Sequence, residues 1–139
     1  MVRYLCFLVA DLSLAIPVDQ VAEVAAVPPI TKIPRPAHHI EGLASLRGRT
    51  IPVVDLRKRL GLVNPATDHH TRMIVALPGP PGELMGFLVD SVGEILSVGE
   101  VEGAAPASIP WVAEGLLAGA LEVQGRQVLL PDLTKIAEL

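Results

Sequence analysis

The sequence predicts an all-β barrel or sandwich made of two related halves, and three observations predict it. Short Val- and Leu-rich apolar runs recur between turn signals at regular spacing. Hardly any stretch carries the 3.6-residue period of an amphipathic helix. Finally, two blocks of the chain occur twice in the same order. Residues 14–24, LAIPVDQVAEV, align without a gap on residues 85–95, MGFLVDSVGEI, so that Val18, Asp19, Val21, Glu23 and Val24 match Val89, Asp90, Val92, Glu94 and Ile95. Residues 42–56, GLASLRGRTIPVVDL, align on 119–133, GALEVQGRQVLLPDL, matching Gly42, Gly48, Arg49, Asp55 and Leu56 with Gly119, Gly125, Arg126, Asp132 and Leu133. The internal repeat thus compares 14–56 with 85–133 inside one domain, residues 1–139. The second block is displaced further than the first, which places a small insertion within 102–115.

Each half has the same local grammar. A hairpin opens it: RYLCFLVA with LSLAIPV turning around Asp11, and RMIVAL with LMGFLV joined by PGPPGE (78–83). These runs are continuously apolar, as suits strands buried on both faces. Asp19 and Asp90 follow, each placed to cap a short helical turn through a carboxylate oxygen. Proline-marked connections come next, PPITKIPRPAHH (28–39) in one half and the GAAPASIP region in the other, where proline breaks helix and restricts pairing. A second hairpin then turns at Arg47-Gly48-Arg49 or Gln124-Gly125-Arg126, with glycine free to take positive φ. One- or two-turn helices close the halves, DLRKRLG (55–61) and DLTKIAEL (132–139), each starting at an aspartate cap. Either half alone would be marginal, so the two pack into one cooperative body.

Composition narrows the function. A chain of 139 residues buries a sizeable core without disulfide or metal support. Half of it is apolar before its 12 glycines are counted, and aromatics supply only 3%, so the core is aliphatic. Typical domains reach about 45–50% with glycine included, and the surplus here points to surface patches that a partner covers. A net charge of −4 without a charge run argues against nucleic acid. Cys6, the only cysteine, excludes an intrachain disulfide and a CxxC motif, fits a reducing cytosol, and reads as an inert thiol inside a strand. Tyr4–Ala10 resembles a signal-peptide core, but it is short, stopped by Asp11 and lacks a cleavage site, so a strand is expected. No run approaches the ~20 apolar residues of a membrane span.

A duplicated chain carries its own structural control. Residues present in both copies, Asp19/Asp90, Glu23/Glu94, Gly48/Gly125, Arg49/Arg126 and Asp55/Asp132, are explained by the repeated fold as caps, turns and local ion pairs. Arg47 is not, because Gln124 makes the same hairpin without it. A guanidinium has five fixed donors suited to a partner's carboxylates or carbonyls. His38-His39 and His69-His70 are read as solvated loop residues rather than metal ligands, since neighbours on extended chain point to opposite sides. Arg47, Arg49, Arg57, Lys58 and Arg59 form a basic cluster that could grip phosphate, giving an alternative reading as a small-barrel module for an anionic ligand or nucleic acid. No aromatic residue interleaves with it for base stacking, and solvation of a helix face is the preferred account. No GxSxG, GxGxxG, GxxxxGK[ST] or HExxH is present, so no enzyme and no cofactor is expected.

IEGLASLRGRTIPVVDLRKRLGL (40–62) resembles the signature segment of CheW-like chemotaxis coupling proteins, a hairpin of the form (I/V)xGxxNLRGxIxPxxDL followed by a short basic helix. PVDQVAEV (17–24), TKIPRPA (31–37) and GFLVDSVGEIL (86–96) match the same family in order and spacing. The resemblance implies two pseudo-symmetric small five-stranded β-barrels, intertwined as subdomains of one domain and packed around a hydrophobic centre. It also implies a non-enzymatic cytoplasmic adaptor in a two-component pathway, recruited to membrane receptor arrays through its partners. Those partners would be the regulatory domain of a CheA-type histidine kinase and the cytoplasmic tip of a methyl-accepting chemoreceptor, whose helix would lie in an apolar groove between the barrels. Carried over by position, Arg47 matches the arginine of the NLRG hairpin, and Val21, Glu23 and Val24 match a stretch associated with partner contacts. Ser45 stands where the family has asparagine, and Ala25 where many members have a larger or charged residue.

Overall fold

The computed structural model describes residues 2–34, 40–78, 83–98 and 109–138. Within them the apolar runs become strands β1 (Val2–Val9), β2 (Leu12–Pro17), β3 (Val21–Ala26), β4 (Ile40–Leu46), β5 (Arg49–Asp55), β6 (Arg72–Ala76), β7 (Met85–Val89), β8 (Ser91–Val98), β9 (Leu117–Val123) and β10 (Arg126–Pro131). The helices are α1 (Leu56–Leu60) and α2 (Leu133–Ile136), and a single 3-10 turn covers Val18–Gln20. Both helices start as the sequence predicts. Asp55 accepts a hydrogen bond from the Arg57 N–H at 3.0 Å, and Asp132 accepts one from the Lys135 N–H at 3.2 Å.

The other aspartate pair does not behave as caps. Pro17 occupies the N-cap of the 3-10 turn without a side-chain bond, which leaves Asp19 inside the turn and exposed. Asp90 precedes a strand, not a helix, and its Oδ2 accepts the Ala10 N–H at 2.7 Å across the β1–β2 turn. Repetition of a residue type therefore did not mean repetition of its bonds.

The strands form two five-stranded sheets, in orders β8-β1-β2-β10-β9 and β3-β6-β7-β5-β4. Under the repeat, β1 to β5 correspond to β6 to β10, and every pairing has its counterpart. β1–β2 and β6–β7 are antiparallel, as are β1–β8 and β3–β6 and the hairpins β4–β5 and β9–β10; β2–β10 and β5–β7 are the two parallel contacts. Each sheet consequently takes its first hairpin from one half of the sequence and its other three strands from the other half. Neither half owns a complete sheet, so cooperativity is built into the topology. Hydrogen bonds do not close either sheet among the described residues, so each is barrel-like in its curvature rather than a sealed barrel.

Three apolar clusters explain why β1, β6 and β7 are buried on both faces. Leu5, Phe7, Val9, Leu14 and Ile16 of one sheet meet Val54, Ile74, Phe87 and Val89 of the other in a central core, capped by Leu56, Leu60, Leu133 and Ile136 of the helices. The alternate side chains turn outward into a smaller core within each sheet: Tyr4, Cys6, Ala15, Leu121 and Val128 on one side, Ala44, Ile51, Val53, Met73, Val75 and Leu88 on the other. Burial raises the Cys6 thiol above its ordinary pKa, in keeping with an unreactive core residue.

Edge strand β4 is partly covered by the proline-marked connection, whose Thr31 exchanges two backbone hydrogen bonds with Leu43 at 2.8 and 2.9 Å. That approach needs Gly42. Its φ is +141°, and a Cβ there would lie 2.1 Å from the Thr31 carbonyl oxygen. Gly42→Ala is expected to cost about 2–3 kcal/mol through strain and overpacking. Urea unfolding checks this; a loss below about 0.5 kcal/mol would show that the connection moves aside freely.

Candidate partner-binding site

The two second hairpins test the duplication directly. β4–β5 turns through Arg47 (φ 50°) and Gly48 (φ 79°), and β9–β10 turns through Gln124 (φ 51°) and Gly125 (φ 76°). Both are two-residue turns with positive φ at each central position, the geometry that matches strand twist. The backbone is the same, and only the side chain at the first turn position differs. Arginine there sits in a region costly for a residue with a Cβ, so neither the turn nor the strands select it.

The Arg47 side chain reaches edge strand β3. Its Nε and Nη2 donate to the two Glu23 oxygens at 3.0 and 3.3 Å, a bidentate pairing, and the side chain remains 78% exposed. The hydrogen bond to Glu23, and then its charge, raise the Arg47 pKa above its ordinary value. Among the described residues, three of its five N–H donors have no partner. The pair spans the two edges, β3 and β4, that backbone hydrogen bonds do not join.

In the second copy Glu94 pairs with Arg126 at 3.5 Å, and the position matching Arg126 in the first copy is Arg49. Arg47 has taken Arg49's place, and Arg49 is exposed. The remaining candidates divide. Val24 lies beside Glu23 but on the opposite side of the strand, 40% exposed. Ser45 is exposed on β4, two residues before the turn. Val21 is half-buried against the central core, where it seats β3.

The basic cluster of residues 47–59 is not one surface. Lys58 pairs with Glu41, and Arg59 donates to the Ile136 and Lys135 carbonyls at 3.3 and 3.2 Å, at the end of α2. Arg57, expected on a solvated helix face, is 1% exposed. Its guanidinium donates to Asp55 Oδ1 and Oδ2 at 3.0 and 3.1 Å, to Asp90 Oδ1 at 3.1 Å, to the Ala66 carbonyl at 2.8 Å and to Thr67 Oγ1 at 3.4 Å. Burial opposes the charge, but the bonds and charges of Asp55 and Asp90 outweigh it and hold the pKa above its ordinary value. A grip on phosphate through this cluster has lost its central donor.

Sequence reasoning missed Arg57 as an internal strut, although the signal was present. Its counterpart in the second copy is Thr134, so it fails the same two-copy test as Arg47. The histidines also depart from expectation. His69 and His70 lie in a turn rather than on extended chain, with ring centroids 3.9 Å apart and the ring planes tilted by 41°. His38 and His39 lie outside the described residues. No helix among the described residues is long and apolar enough to cross a membrane.

Comparison with known proteins agrees with this architecture. A family model described as a CheW-like domain matches residues 3–139. The chemotaxis protein CheW of Thermotoga maritima is 31% identical over 137 residues, covering 96% of this chain and 86% of that protein. The CheW of Rhizobium meliloti is 28% identical over 133 residues, covering 95% and 84%. The crystal structure of the scaffolding protein CheW from Thermoanaerobacter tengcongensis superposes with a TM-score of 0.88 at 27% identity, covering 99% of this chain and 92% of that one. Paired open sheets, an exchanged repeat and a match along nearly the whole length place this chain in the CheW-like domain family.

Proposed function

We propose that the protein is a non-catalytic, cytoplasmic adaptor that links the helical tip of a chemoreceptor to the regulatory domain of a CheA-type histidine kinase. The observation that carries this reading is the Arg47 side chain. Two hairpins share one turn backbone, and only the first carries an arginine at the turn itself, held by two hydrogen bonds to Glu23 with its side chain 78% exposed, whereas the second hairpin's Arg126 reaches Glu94 at 3.5 Å from the strand and is 50% exposed. The Glu23 carboxylate fixes two of its donors before any partner arrives, which lowers the ordering cost of binding. Exposed Val24 and Leu43, on the sheet edges β3 and β4 that the ion pair connects, add apolar contact area. Relatives named as chemotaxis proteins and a neighbour described as a scaffolding protein support the class.

An adaptor of this kind works by geometry. It biases kinase output when its contacts with receptor and kinase differ between two arrangements of the assembly. Sedimentation of the kinase with receptor-bearing vesicles tests the role: the kinase is expected to pellet with receptor only when this protein is added. Kinase recruitment that ignores the protein would overturn the reading. The alternative, a module for nucleic acid or another anion, predicts oligonucleotide binding that falls steeply with salt. With Arg57 buried and Lys58 paired, no such binding is expected in a salt titration.

A further inference from the structure

The turn between α1 and β6 does something the repeat does not require. It lies in the connection between the two copies, so it has no counterpart to explain it. Its backbone is tightly held. The Asp68 N–H donates to Thr71 Oγ1 at 3.0 Å, the Thr71 N–H to the Asp68 carbonyl at 3.2 Å, and the His70 N–H to Asp68 Oδ1 at 2.8 Å. Arg72 Nη1 donates to the His69 and Thr71 carbonyls at 2.8 and 2.9 Å. Thr71 is buried, and just upstream Ala66 and Thr67 are gripped by Arg57. The fold thus uses the backbone of this turn and one oxygen of Asp68, while the side chains of Asp68, His69 and His70 stay exposed.

Those three side chains converge. One donor atom from each lies within 4.8 Å of the other two, with His70 Nδ1 3.7 Å from Asp68 Oδ1. A tetrahedral ion with bonds of about 2.0–2.1 Å needs donors about 3.3 Å apart, which small rotations of exposed imidazoles supply. We infer that Asp68, His69 and His70 form a surface site for a divalent transition metal of the zinc class, with the fourth position open to water. Two imidazoles and a carboxylate suit Zn2+, Ni2+ or Cu2+ and not the all-oxygen preference of Mg2+.

Calorimetric titration of the tag-free full chain with Zn2+ tests this. One saturable site per chain is expected at about pH 7.5. His69→Ala, His70→Ala and Asp68→Asn should each weaken binding at least tenfold with an unchanged circular dichroism spectrum, while His38→Ala/His39→Ala has no effect and Mg2+ does not compete. The site is overturned by an absence of saturable Zn2+ binding, by equal affinity in all variants, or by binding that disappears only in the His38→Ala/His39→Ala protein.

Discussion

Replacing Arg57 with methionine is expected to lower the unfolding free energy by about 3–5 kcal/mol, the range for removing one partner of a buried ion pair. Methionine roughly keeps the side-chain length but donates nothing. Asp55, 2% exposed, would lose both guanidinium bonds in a dry site, keeping only its cap on the Arg57 N–H. Asp90 and the Ala66 carbonyl would lose a donor as well. Because Asp90 also holds the Ala10 N–H, the damage spreads from α1 to the β1–β2 turn. Against a total stability of about 5–15 kcal/mol, such a loss takes much of the margin. The double variant Arg57→Met/Asp55→Asn, which keeps a neutral cap, should recover part of it. Urea unfolding measures both, and a loss below about 1 kcal/mol for Arg57→Met would show that the network is incidental.

Reversing the charge at Arg47 should act on binding and leave folding alone. Arg47→Glu removes the exposed guanidinium and sets a second carboxylate against Glu23, at a turn whose conformation does not depend on arginine. Loss of a charged contact at an interface weakens affinity by roughly thirtyfold or more, so co-precipitation with the kinase or receptor should disappear while the circular dichroism spectrum is unchanged. The swap Glu23→Arg/Arg47→Glu rebuilds the intramolecular pair but moves the guanidinium onto β3. Binding should stay lost. Recovery in the swap would mean that bridging β3 to β4 is the essential function and that partner contact is secondary. Gln124→Arg, in the equivalent turn of the other sheet, should change little.

Much of this molecule was legible before its coordinates, because the duplication allowed each half to be read against the other. The paired hairpins, the aspartate caps of α1 and α2 and the strands buried on both faces all follow from local pattern. Which hairpin each sheet takes from the other half was not legible in the residues, since a repeat fixes which strands are alike and not which of them pair. The same limit explains the errors at Asp19 and Asp90. Matching residues predict matching backbone, but their bonds depend on neighbours unique to one copy: Arg57 captures Asp90, and Arg47 captures Glu23. The turn at Asp68–Thr71 was misread for a related reason, because a side-chain oxygen accepting a backbone N–H two residues on bends the chain where extended geometry was assumed.

The most direct measurement gives the first turn the residue its twin already uses. Titration calorimetry of Arg47→Gln against the kinase regulatory domain and the receptor tip compares two hairpins that differ in nothing but the guanidinium. An intact fold with binding to at least one partner weakened tenfold or more is the predicted result. Wild-type affinity for both partners would show that the exposed arginine is a solvated turn residue after all.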